Sequence, residues 1–235
     1  MLMKMIVTFA VAMFGSFWFA RGLMAVVIWP LKRVTGDPKP YLRTLEVTGG
    51  FMLAMKMAFW AGIVISCPLL LYFLGQFLLP ALRPKEKRLL WPGFAAGALL
   101  FIGGASLAYF AALPAVLKFF IEYNNYLGIS SEWTIENYIS FVGLMMLAFV
   151  VSFELPLLIL ILAKLGLVSS RFLRDKRPYA IIAIFVFAAI ITPTTDPINQ
   201  TLLAGPMCIL YEMCIWVSWW MERKDKQKYA DRYAD

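Results

Sequence analysis

The sequence predicts an all-α membrane protein, a single bundle of six transmembrane helices, and three observations carry that prediction. Of 235 residues, 62% are hydrophobic and only 15% charged, more apolar surface than a soluble core of this size needs. Apolar stretches recur at 6–28, 51–79, 89–113, 139–165, 179–191 and 198–220, most of them near the roughly 20 residues a helix needs to cross a bilayer. The connections between them are short, so the chain reads as one transmembrane domain over 1–235, with 221–235 as a polar tail.

The first span opens almost at Met1 and passes twenty residues without a small-residue cleavage site, the pattern of a retained helix and not of a signal peptide. Trp18 and Trp60 fall inside spans and are assigned to packing, whereas Trp29, Trp91, Trp216, Trp219 and Trp220 lie near span ends, where interfacial belts form. Arg21 and Lys56 sit close enough to span ends for their long side chains to snorkel outward. In the third span Gly93 and Gly97 make a G-x-x-x-G step followed by Gly103 and Gly104, which permits close backbone approach. The 114–138 connection, with Glu122, Glu132, Trp133 and Glu136, is expected to fold over the bundle as a cap.

The fourth span holds the most informative residue. Glu154 lies near the middle of the otherwise uncharged run 139–163, and an ionised side chain at bilayer depth costs at least about 2.5 kcal/mol, so it marks a functional site by default. Pro156 follows it and frees a backbone carbonyl one turn earlier, a second acceptor beside the carboxyl. The fifth span has only about a dozen uninterrupted apolar residues, roughly 20 Å of helix against a hydrocarbon core of about 30 Å. It joins the sixth through the turn Thr192-Pro193-Thr194-Thr195-Asp196-Pro197, and the sixth opens on Asn199, Gln200 and Thr201 and contains Glu212. Such a short hairpin leaves a step that thins the bilayer, or that a partner helix could fill along Ala189, Ile190 and Ile191 with Gln200 as a hydrogen-bonding group.

Loop charges give the orientation. Four Lys or Arg lie in 81–90, four in 166–178 and five after Met221; the opposite connections carry four in 30–49, one at Lys118 and none in the last turn. The positive-inside rule therefore puts both termini in the cytoplasm, the 30–49 loop dissenting. The net charge of +8 is concentrated on that face, where anionic lipid headgroups are the natural counter-charge and nucleic acid is not implied.

Absences remove several enzyme classes. With no histidine in the chain, Ser-His and Cys-His nucleophile pairs and histidine metal sites are excluded. Cys67, Cys208 and Cys214 lie in apolar spans without C-x-x-C spacing, so neither disulfide nor metal is implied. No phosphate loop or dinucleotide turn occurs, and no cofactor is expected. A proton-coupled secondary transporter working through Glu154 is the alternative function, but it calls for two halves related by a repeat, which the sequence does not display.

Three blocks carry a resemblance. F-M-L-A-M-K-M-A-F-W-A-G-I-V-I-S-C-P and L-Y-F-L-G-Q-F-L-L-P-A-L-R-P-K-E-K-R within 51–88, S-F-E-L-P at 152–156, and I-T-P-T-T-D-P-I-N-Q-T-L-L-A-G-P-M-C-I-L-Y-E at 191–212 resemble TatC, the multispanning subunit of the twin-arginine protein translocase. L-R-D-K-R-P-Y at 173–179 is similar to that family's second cytoplasmic loop, and the turn before Pro197 has one residue more than the family's T-P-P-D. The likeness runs in order from Trp29 onward.

The resemblance implies a cup-shaped bundle of six helices in the cytoplasmic membrane, the fifth and sixth short. It implies a receptor for the twin-arginine signal peptides of folded precursors that also self-associates, works with single-span TatA and TatB-type partners, draws on the proton motive force, and makes or breaks no bond. The signal-binding role falls on the first cytoplasmic loop, chiefly Glu86, framed by Phe77, Pro80, Lys85 and Arg88. Glu154 becomes the polar residue of the concave face; Pro30, Asp196, Gln200 and Glu212 match family positions without an assigned role. The resemblance departs at the amino terminus: the family begins with a cytoplasmic segment of the kind H-L-x-E-L-R-x-R, and this sequence opens with Met1-Leu2-Met3-Lys4 directly before its first span. A clipped start and a divergent member would both read this way.

Overall fold

A computed structural model describes residues 2–45, 48–78, 90–164, 168–191 and 197–232. In chain order the described elements are α1 (Leu2–Trp18), α2 (Ala20–Thr35), β1 (Leu42–Arg43), α3 (Gly49–Leu78), α4 (Leu90–Leu107), a π-helical turn (Ala108–Ala112), α5 (Leu113–Tyr126), β2 (Trp133–Thr134), α6 (Ile135–Lys164), α7 (Ser170–Asp175), α8 (Arg177–Ile191) and α9 (Pro197–Arg232). Among the described residues three helices are long and apolar enough to cross a membrane, Gly49–Leu70, Ala95–Tyr126 and Ile135–Ala163; α1 and α2 add a fourth if the bent pair counts as one span. Arg177–Ile190 is a shorter apolar helix, as its dozen apolar residues require.

Two expected elements come out differently. The first span is not one helix: α1 and α2 meet at 86°, because Phe19 leaves helical geometry at φ −98°, ψ 20°. No proline marks that break, only Gly15 and Gly22 nearby. Trp18 stands at the corner 88% exposed, so it is not a packing residue. The 114–138 connection is also not a loop throughout. The third span continues through the π turn into α5, and only 127–134 remains as a connection.

The chain divides into two compact units, Met1–Arg83 with Phe101–Val150, and Pro84–Leu100 with Val151–Asp235. In the first unit α1 packs along α3. Phe9 meets Phe59 and Phe17 meets Phe51, edge to face at 5.9 and 6.2 Å; partners that descend α3 as they climb α1 define an antiparallel pair. The backbones come close at Gly62, where a Cβ would stand 3.0 Å from the Met13 Cα. Trp60 lies flat on α6 at Gly143, where a Cβ would come within 2.3 Å of the indole. The buried centre of this unit is apolar, with Leu31, Leu113, Leu117, Ile139, Met145 and Phe149 all at or below 2% exposure.

Prolines explain two of the polar contacts of this unit. A helical proline has no N–H for the carbonyl four residues earlier, and a bare carbonyl in an apolar medium is costly. Pro30 leaves the Val26 carbonyl, which accepts from Tyr109 Oη at 2.8 Å. Pro114 leaves the Phe110 carbonyl inside the π turn, which accepts from Arg33 Nη1 at 3.2 Å. Trp29 completes the cluster, stacked on Tyr109 at 5.2 Å with the Arg33 guanidinium 5.4 Å from its ring centre. Outside the helices, β1 and β2 pair in parallel, Leu42 opposite Trp133 and Arg43 opposite Thr134, with an Arg43–Glu132 ion pair at 2.9 Å. The connections after α2 and after α5 therefore lie on one side, as alternating spans require.

Candidate functional site

The second unit holds the intramembrane carboxylate and the short hairpin. Glu154 is buried on α6 at 7% exposure, and among the described residues neither carboxylate oxygen has a hydrogen-bond partner. Its neighbour on α4 is Gly97: a Cβ built there would lie 2.7 Å from Leu157 Cδ2 and 3.5 Å from Glu154 Oε2. The second glycine of the G-x-x-x-G step thus makes room for the Leu157 side chain, and the carboxyl stands at ordinary contact distance beside it. Pro156 is buried two residues on, and α6 remains continuous through it from Ile135 to Lys164. The site is a carboxyl acceptor in an apolar wall, a group that desolvation primes to seek a donor.

The hairpin is tied at three levels. Near the turn, Gln200 Nε2 donates to the Phe185 carbonyl at 2.8 Å, so its amide nitrogen is already used between α8 and α9. At the other end of α8, Arg177 pairs with Glu212 of α9, the two side chains 44% and 38% exposed. Further along α9, Glu222 accepts from both the backbone N and the Oγ of Ser170, each at 2.6 Å. Tyr211 Oη donates to the Leu173 carbonyl at 2.8 Å, satisfying the end of α7, whose start is capped by Ser169 Oγ accepting from Phe172 N.

The sequence-derived residues are distributed unevenly over these features. Glu154, Pro156, Gln200 and Glu212 belong to them, whereas Pro30 belongs to the proline cluster of the first unit, where its missing N–H explains it. Ala189 and Ile190 lie exposed on α8, Ile190 at 76%. Phe77 and Ile191 fall in the last turns of α3 and α8, where the backbone alone is described. Pro80, Lys85, Glu86, Arg88 and Asp196 lie outside the described residues. The partners Arg177 and Glu222 escaped sequence reasoning. The available signal was a lone acid in an apolar stretch, Glu212, whose counter-charge had to come from another element.

A family profile, the Sec-independent protein translocase protein (TatC), matches residues 1–206. The chain belongs to the TatC family. It is 46% identical over 184 residues to the TatC protein of Akkermansia muciniphila, covering 78% of this chain and 53% of that relative, so it spans about half the relative's length. It is 36% identical over 194 residues to TatC of Synechocystis, covering 81% and 76%. Among solved structures, a crystal structure of the twin-arginine translocase receptor TatC superposes with TM-score 0.80 at 33% identity, covering 92% of this chain and 94% of that one. A crystal structure of the twin-arginine translocase receptor TatC in DDM gives 0.82, also at 33% identity, covering 92% of this chain and 95% of that one. The described residues of this TatC-family chain are largely helical, with several helices long and apolar enough to cross a membrane.

Proposed function

We propose that this chain is the receptor for twin-arginine signal peptides and the core subunit of a translocase that moves folded proteins across the cytoplasmic membrane, drawing on the proton motive force and performing no covalent chemistry. The observation that carries this reading is the superposition at TM-score 0.80 over 92% of the chain on a receptor of that name. Supporting it are the acid Glu86 among Arg83, Lys85, Lys87 and Arg88, which a guanidinium pair engages through a two-pronged, charge-assisted contact that lysine does not reproduce, and the buried carboxyl of Glu154 beside Gly97, an acceptor for donors passing through the bilayer. Phe77, Pro80, Lys85 and Arg88 frame the receptor loop. Both termini are cytoplasmic, six helices cross the membrane, and the α8–α9 edge at Ala189, Ile190, Ile191 and Gln200 receives the single helix of a TatA or TatB-type partner in a complex that also self-associates.

The experiment separates this from solute transport. The full chain, expressed with single-span Tat partners, should co-purify with them and show no small-solute uptake when reconstituted alone in liposomes. Proton-coupled uptake by the lone chain that is lost in Glu154→Ala would replace this reading with a secondary transporter.

A further inference from the structure

The signal-peptide reading leaves unused a cleft of about 430 Å³ at the basic end of the second unit, lined by Arg174 of α7, Arg177 of α8, and Ile215, Trp216 and Trp219 of α9. Trp216 also lines a second, mostly apolar groove of about 630 Å³ with Ile181, Cys208, Ile209, Met213 and Val217, and the Glu212 carboxylate in its wall is the one paired with Arg177. We infer that cleft and groove together form a site for one anionic phospholipid, its phosphate between Arg174 and Arg177 and an acyl chain lying along α9 past Trp216 toward Ile209.

Charge supports a headgroup with one negative charge. Arg177 is paired with Glu212, so that pair adds little net charge while its guanidinium is held in place. Arg174 is exposed and has neither ion pair nor hydrogen bond among the described residues, so its charge is the one left uncompensated in the cleft. Arg223 is not part of the lining but is stacked 3.9 Å over the ring of Trp219, which is. Guanidinium groups match phosphate oxygens with paired N–H donors.

Shape supports an acyl chain. Ile209, Met213 and Trp216 follow at i, i+4 and i+7 on one face of α9 and are 64%, 56% and 71% exposed, an apolar stripe of roughly 10 Å along the helix axis. Tryptophan at its upper end sits where indole rings favour the headgroup level, and basic pockets between helices at that level hold acidic lipid headgroups. The lining contains no glycine or alanine, the small residues that a close-packed partner helix favours. The inference rests on the membrane reading of the chain and not on its signal-peptide role.

The test is lipid retention by the purified full chain, followed by native mass spectrometry during titration with phosphatidylglycerol or with phosphatidylcholine of the same acyl chains. One phosphatidylglycerol should bind in preference, and Arg174→Gln should weaken it about fivefold. Arg171→Gln removes the same charge from α7 outside the cleft and should leave binding unchanged, and glycerol 3-phosphate, which lacks acyl chains, should not displace the lipid. Equal loss in both arginine variants, equal binding of the two lipids, or displacement by glycerol 3-phosphate would each overturn the site. Arg174 is exposed and unpaired among the described residues, so its variant should fold; thermal melts of both variants matching the parent provide the check.

Discussion

At the scale of single residues, polar groups in this protein are placed where an apolar medium makes each one count. Tyr109 illustrates it, because its hydroxyl serves the carbonyl that Pro30 leaves bare. Tyr109→Phe should destabilise the protein by about 1–3 kcal/mol, the cost of an orphaned acceptor, and Pro30→Ala in the same chain should recover part of the loss by restoring the helical N–H; thermal melts of the single and double variants measure this. If the double variant is no better than Tyr109→Phe alone, the proline explanation fails. Glu154 is the opposite case, a carboxyl with no partner among the described residues. Glutamine keeps its shape and one carbonyl acceptor, so Glu154→Gln should retain most export of a folded precursor while Glu154→Ala loses more. Export by Glu154→Ala equal to the parent's would return this residue to a packing role. The Arg177–Glu212 pair is half exposed, and a double-mutant cycle should give a coupling of about 0.2–1 kcal/mol.

At the scale of elements, the close approaches are built on glycine and the sharpest bend has no proline, and the sequence revealed these features unevenly. Gly97 was legible as part of a G-x-x-x-G step. Gly143, with the Trp60 indole on its Cα, was not, because the positions four before and four after it are Ile139 and Leu147, so no small-x-x-x-small step advertises it. Gly143→Ala should push a rigid ring and cost about 1–3 kcal/mol, read by thermal denaturation in detergent; an unchanged melt would mean that Trp60 moves away freely. The long spans were legible because apolar length alone specifies them, as was the shortness of α8. The 86° corner at Phe19 was not, since nothing but Gly15 and Gly22 signals it, and the helical continuation through α5 was hidden by polar residues that face outward from a helix as readily as they populate a loop. If the exposed edge of α8 receives a partner, cysteines at Ala189 and Ile190 should crosslink to that partner's transmembrane helix, and crosslinks confined to α1 or α4 would move the docking edge elsewhere.

At the scale of the whole molecule, two compact units share two helices, the boundary falling after Leu100 in α4 and after Val150 in α6. The carboxyl site and the tied hairpin belong to one unit, the proline cluster and the strand pair to the other. What the sequence revealed at this scale came from composition, which decides the solvent, and from motif blocks, which decide the family; pairings such as Arg177 with Glu212 or Ser170 with Glu222 join residues 35 and 52 positions apart, a separation that no local pattern encodes. The central claim is that a carboxylate of the first basic loop receives paired arginines. Binding of a twin-arginine signal peptide to the purified chain with its partners, measured for the parent and for Glu86→Ala, tests it most directly. The peptide should bind the parent, lose affinity sharply when both arginines become lysine, and lose it comparably in Glu86→Ala; a Glu86→Ala variant that binds the twin-arginine peptide as tightly as the parent would contradict the account.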